Sequence, residues 1–148
     1  MADDEVELLR LTDTDLMVAG DEADVRGRTA VDRNGDELGE VDDLFIDVHE
    51  RKVRFLQLAS GGFLGMGQQK SLIPVDAITR VEDERIVVDQ ERAKIAGAPA
   101  YDPQLEEIPD RDFYEGIYGY YGYPPYWTPD YMYPQYPYRA EGRGEDGR

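Results

Sequence analysis

Gly27–Gln90 reads GRTAVDRNGDELGEVDDLFIDVHERKVRFLQLASGGFLGMGQQKSLIPVDAITRVEDERIVVDQ. Several short apolar runs sit between turn signals, and no long helical period interrupts them. Strands so closely spaced in 64 residues favour a small barrel. Within the stretch, the first strand is expected over Arg28 to Asp32. Asn34-Gly35 follows, the strongest short hairpin signal, and implies a type I′ turn with positive φ at both central residues. The second strand is expected from Glu37 to Val48, and its phase slips. Val41 belongs to one face and Leu44, Ile46 and Val48 to the other parity, so Asp42-Asp43 reads as a β-bulge of the kind that bends a sheet toward closure.

His49 to Lys52 makes the next turn. The third strand, Val53 to Ala59, is apolar on both parities: Val53 and Phe55 on one, Leu56 and Leu58 on the other. Both of its faces should therefore be covered, one by the barrel interior and one by the arm, the tail or a second copy of the chain. A glycine-rich loop, Gly61 to Gln69, leads to a fourth strand at Leu72 and Ile73, closed by Pro74. A short turn to Ile78 follows. The fifth strand is Arg85 to Asp89, and Glu91 to Ala96 adds one helical turn ended by Gly97 and Pro99.

The flanks differ in character. Residues 1–26 form an acidic arm whose Leu8, Leu9 and Leu11, and then Leu16, Met17 and Val18, can lie across a domain, as helix or as strand. Beyond Pro103 the chain is rich in tyrosine, proline and glycine. Ten of its eleven tyrosines fall between Tyr114 and Tyr138. That proline density argues against regular helix or central strand and implies a mostly disordered tail with polyproline-II character.

Charge excludes several function classes. The net charge is −17, and every third of the chain is acidic. No segment offers the basic footprint that phosphate backbones or anionic membranes require. Only three lysines stand beside thirteen arginines, a balance that fits either a high-salt habitat or a GC-rich genome with ordinary solubilising charge. There are no cysteines, which removes disulfides and thiolate metal sites. The N-terminus lacks the pattern of a secretory signal, and no apolar run reaches transmembrane length. A soluble cytoplasmic protein is the expectation.

The chemical constellations are weak. Gly62 to Gly67 begins like a phosphate loop, but Lys70-Ser71 comes two positions late and a strand follows in place of a helix. Asp32, Asn34, Asp36 and Asp43 match calcium-loop offsets, yet Glu37 occupies the position where that loop needs glycine. His49 is the single histidine and lacks partners for a nucleophilic or zinc site. Paired carboxylates such as Asp42-Asp43 and Glu106-Glu107 are expected by chance in so acidic a chain. No catalytic, metal or cofactor site is assigned, and no enzyme is expected.

Gly27 to Gln90 resembles the PRC-barrel family, named for the H subunit of the photosynthetic reaction centre. The matching residues are Gly27 with Val31, the Asp32–Asp36 hairpin, Leu38-Gly39 with Val41 and Asp47, the Val53–Leu58 strand, Gly61–Gly65, Ile73-Pro74 and Ile86–Asp89. The lead-in of Arg10-Leu11 and Asp24–Gly27 looks like that of stand-alone bacterial and archaeal members. The resemblance implies a small β-barrel used as a protein-interaction or scaffold module, and the tyrosine-rich tail lies outside the pattern.

The expected architecture is mainly β: a small PRC-type barrel with an N-terminal arm and a largely irregular Tyr/Pro/Gly-rich tail. Its divisions are an arm over 1–26, a barrel over 27–100 and a tail over 101–148. The expected function is a non-catalytic interaction module that docks another protein or its own copy, without nucleic acid and without membrane insertion. Candidate contact residues are Phe63, Leu64 and Met66 in the glycine-rich loop, where apolar side chains at a tip tend to dock. To these are added Leu56 and Leu58 on the third strand, and Tyr126 and Trp127 in the tail, where aromatic rings give large contact area at low entropic cost. A second reading is a stress- or assembly-related structural protein that acts through its tail. A ligand-binding barrel is disfavoured, because Val, Ile, Leu and Phe should fill the interior.

Overall fold

The computed structural model describes residues 8–13, 24–60, 69–98, 111–129 and 131–133. Seven strands form one mixed sheet: β1 (Leu8–Arg10), β2 (Thr29–Asp32), β3 (Glu37–Asp47), β4 (Lys52–Ser60), β5 (Gln69–Pro74), β6 (Ile78–Val81) and β7 (Arg85–Val88). Two helices, α1 (Arg92–Ala96) and α2 (Arg111–Tyr121), accompany it. The strand order is β5-β4-β3-β2-β7-β6, with β1 paired to β3 off that path. The fold is mainly β, as the turn spacing implies. Among the described residues no ladder joins β5 to β6. The chain itself spans that corner through a 3-10 turn at Val75–Ala77.

β3 is the spine. It pairs with β4 from Glu40 to Asp47, while β2 takes the first part of its other edge and β1 the last part, with Leu8 opposite Asp47. The arm therefore enters the sheet as a strand, and Leu8 and Leu11 are buried in the core. Asp43 fastens it, because its carboxylate accepts the Thr12 N–H at 3.2 Å. Leu16, Met17 and Val18 lie outside the described residues.

The expected bulge is present. Val41 pairs with Leu58 and Asp43 with Gln57, leaving Asp42 as the extra residue. Its carboxylate accepts hydrogen bonds from Gln57 Nε2 at 2.8 Å and Lys70 Nζ at 2.6 Å, tying three strands together. Burial pushes the Asp42 carboxyl up, but Lys70 and Gln57 outweigh it and hold the group below the usual carboxylate range.

The β2–β3 hairpin forms with a different turn from the expected one. Only Gly35 has positive φ, at 88°; Asn34 does not. Gly35 N–H donates to Asp32 O and Asp32 N–H to Asp36 O, both at 2.9 Å, the pattern of a three-residue loop with glycine at its end. The Asp32 side chain explains the preference. It is buried, and its carboxylate accepts from the N–H groups of Asn34 and Asp36 at 2.9 Å and of Arg92 at 3.2 Å. Burial alone would raise its pKa, but these three donors outweigh burial and lower it. Asp32 thus joins the hairpin to the start of α1.

Two elements are additions to the sequence reading. β6 has only Ile78 and Val81 buried among its four residues, too little alternation to announce a strand. α2 occupies part of the segment expected to be irregular. The prolines that argue against a helix, Pro124, Pro125 and Pro129, follow it, and none lies between Arg111 and Tyr121. The irregular expectation holds for 122–129 and 131–133, which are neither helix nor strand.

One position in β3 has little freedom. Ala30 pairs with Gly39 and Val31 with Glu37, a second bulge that leaves Leu38 extra. Gly39 takes φ +150°, and a Cβ there would stand 2.6 Å from the Ala59 carbonyl oxygen of β4. Gly39→Ala should therefore destabilise the fold by about 2–3 kcal/mol, as overpacking against backbone does. A lower urea midpoint with an unchanged m-value checks this; an unchanged midpoint would contradict the close approach.

Candidate interaction surface

β4 is buried from Val53 to Ala59, and its two faces are covered differently. Leu56 and Leu58 are 0% exposed, and Leu44 stands opposite Leu56 with Val41 opposite Leu58. No partner can reach them, so the contact role expected for these two leucines gives way to a core role. The other face, carrying Phe55 beside Phe45 of β3, is covered by α2. Tyr114, Ile117, Tyr118 and Tyr121 are its buried residues, at spacings i, i+3, i+4 and i+7, one helical stripe. The Phe55 ring lies 5.4 Å from the Tyr114 ring and 5.0 Å from that of Tyr118. The covering that the sequence left open between arm, tail and second copy is thus supplied by the chain's own tyrosines.

After Gly122 the chain runs back across the barrel as a strap. Tyr133 Oη donates to the Val53 carbonyl at 3.0 Å, and Gln90 Nε2 donates to Tyr123 Oη at 3.2 Å. Tyr120 Oη donates to the Lys94 carbonyl at 2.7 Å. Rings stack outward from the core: Trp127 meets Tyr118 edge-on at 5.9 Å, and Tyr126 meets Trp127 at 5.1 Å. The structure therefore brings the two expected contact residues, Tyr126 and Trp127, together, half-buried, on one surface. Farther along the strap, Met132 is 83% exposed. Phe63, Leu64 and Met66 lie outside the described residues.

Beneath the strap sits a residue the sequence did not single out. Phe45 pairs with Phe55 and Ile46 with Val53, so Arg54 is the extra residue of a third bulge. The bulge brings its guanidinium under the strap, 4.2 Å from the Tyr126 ring centroid and 5.5 Å from that of Tyr133. The Arg54 side chain is 2% exposed, and its buried partner Asp47 accepts from it at 3.1 Å. Glu50 accepts a second bond at 2.6 Å. Burial would lower the Arg54 pKa, but Asp47 and the neighbouring charges outweigh it and raise it. Asp47 also accepts the His49 N–H at 2.9 Å, fixing the β3–β4 turn. A buried charge of this kind is tolerable only while paired.

Asp76, in the 3-10 turn, completes a polar cluster with Arg54, Tyr118 and Tyr131. Burial pushes its carboxyl above the usual range, and Tyr131 and Arg54 only partly oppose this. The Tyr131 hydroxyl acts on the carboxyl without reaching hydrogen-bond geometry to it. Burial likewise raises the Tyr118, Tyr126 and Tyr131 hydroxyls, so they stay protonated.

A separate cleft of about 350 Å³ opens beside α1, lined by Leu38, Ser60, Lys70, Ser71, Arg92 and Ile95 among others. Lys70 is engaged by Asp42 at 2.6 Å, and Glu37 also lines the cleft. Among the described residues there is no group of metal-ligating side chains and no helix long and apolar enough to cross a membrane.

The curled sheet, its 3-10 corner and the hairpin at Gly35 can be set beside known families. The PRC-barrel domain profile matches residues 21–95, just over half of the chain. This chain belongs to the PRC-barrel domain family. A comparison with curated proteins returned no match. The matched span of this PRC barrel takes in β2 to β7 and most of α1, while β1, α2 and the strap fall outside it.

Asp76 gives the surface a pH dependence with a definite sign. The unfolded chain loses the Asp76 proton near the ordinary value of about 4, whereas the fold retains it to higher pH. Above that value the native state binds more protons than the unfolded one, so the Asp76 contribution to stability falls as pH rises. Asp76→Asn should remove this loss. Urea unfolding of both chains between about pH 4 and pH 7 is expected to show the variant gaining on the native chain as pH rises; a constant difference would contradict the burial of the carboxyl.

Proposed function

We propose that this PRC barrel is a non-catalytic protein-interaction module whose contact surface is the aromatic strap. The observation that carries this reading is the pairing of half-buried Tyr126 and Trp127 on a segment that also carries half-buried Tyr133 and exposed Met132 and is tied to the barrel. Tyrosine, tryptophan and methionine are the residue types enriched at the centres of protein interfaces. Their anchoring matters as much as their identity. Rings held by Gln90, Val53 and Arg54 lose less freedom on binding than rings of a loose tail, so more of the contact energy appears as affinity. With the outer face of β4 occupied by α2, a second copy of the chain would have to meet the strap as any other partner does. The cysteine-free composition fits a reducing cytoplasm.

The alternative, assembly through the extreme C-terminal segment, separates cleanly. A deletion from Pro103 would remove α2 from the core and confound the result, so the informative truncation ends at Tyr133. Partner capture by the full chain, by that truncated chain and by a Tyr126→Ser/Met132→Ser variant distinguishes the readings. The strap reading expects the truncated chain to retain its partners and the folded double variant to lose most of the signal. Capture that survives the double variant but not the truncation would overturn it in favour of the C-terminal segment.

A further inference from the structure

We infer that the strap is built to receive a basic, arginine-rich segment of a partner protein; the inference rests on the interaction reading above and specifies its chemistry. The strap and α2 already display the recognition in miniature. Arg54 lies over Tyr126 at 4.2 Å, Lys52 over Tyr133 at 5.0 Å, Lys94 over Tyr120 at 4.3 Å and Arg111 over Trp127 at 5.1 Å. Four aromatic rings thus each hold a cation supplied by the chain itself. The ring quadrupole that attracts those cations acts on both faces of a ring, and these four rings are only half-buried.

The surrounding charge points the same way. The chain carries 33 acids against 16 bases. Arg54, the most buried of the four cations, has its charge met by Asp47 and Glu50. Glu50 is largely exposed, as are Asp112 and Glu115 on the outer side of α2. An incoming cation meets half-buried rings on a chain whose exposed carboxylates include Glu50, Asp112 and Glu115. Arginine suits this better than lysine, because its planar guanidinium stacks on a ring and sheds water more readily. An acidic segment would be opposed by the negative ring faces and by the field of the whole protein, and a purely apolar one would gain nothing from that field.

The test is a titration of the full chain with a short peptide of alternating arginine and glycine, followed by Trp127 fluorescence and calorimetry at about 0.15 M salt. The lysine and glutamate counterparts serve as comparisons. The arginine peptide is expected to bind at least about threefold tighter than the lysine peptide and the glutamate peptide not at all. Tyr126→Leu and Met132→Lys should each weaken binding about fivefold or more. Met132→Lys guards against loss of fold in the first variant, since Met132 stands in solvent. Glu84→Lys, at the far end of β7 from Gln90, should change binding less than about twofold. No binding of the arginine peptide, or weakening by Met132→Lys and Glu84→Lys with none by Tyr126→Leu, as diffuse charge would give, overturns the inference. If the peptide fails while partner capture still depends on the strap, the basic chemistry is wrong and the interaction reading stands; if capture is also indifferent to the strap, both fall.

Discussion

The burial of β4 on both faces is the constraint from which the rest of the structure follows. A strand that reads Val-Arg-Phe-Leu-Gln-Leu-Ala cannot leave either face in water without losing the burial that a small domain depends on. One face closes on the barrel interior through Leu44, Leu56 and Leu58. The other exposes Phe45 and Phe55, and α2 covers them with Tyr114 and Tyr118. The tyrosine helix is therefore as much a part of the hydrophobic core as the strands are, although it lies outside the span matched to the family.

The strap is held by polar contacts layered on that apolar one. The bulge at Arg54 delivers a cation to the place where the returning chain presents Tyr126, Tyr131 and Tyr133. Asp47 pairs with the cation and also shapes the turn before β4. Strand geometry, turn and strap are thus coupled through one ion pair. Its buried position means that removing one partner would cost far more than the pair itself contributes. The same layering anchors the strap while leaving Tyr126, Trp127 and Tyr133 half-buried.

What was legible in the sequence was local. Alternation and turn chemistry located β2, β3, β4, β5 and β7, and the parity slip at Asp42 located a bulge, because these signals depend on residues a few positions apart. The Gly35 turn is legible in position but not in type, since the Asp32 carboxylate, which settles it, also reaches distant Arg92. α2 is hidden by the composition of the tyrosine-rich stretch as a whole, where proline and glycine argue against regular structure. Taken alone, Tyr114, Ile117, Tyr118 and Tyr121 spell an amphipathic helix. Tyr126 and Trp127 are picked out by residue type alone, and the structure sets their rings 5.1 Å apart. Leu56 and Leu58 misled because an apolar strand face looks the same whether its own chain or a partner covers it. Arg54 gave no signal, because a charged residue in a strand reads as exposed until a bulge and a distant tyrosine are known to meet it.

The most direct measurement is the urea unfolding of a chain ending at Asp110 against one ending at Tyr133. Burial of three tyrosines and one isoleucine on the Phe45–Phe55 face implies a loss of at least about 4 kcal/mol, or of the cooperative transition itself, in the shorter chain. Equal midpoints and equal slopes for the two chains would show that β4 does not need the helix, and would contradict the account.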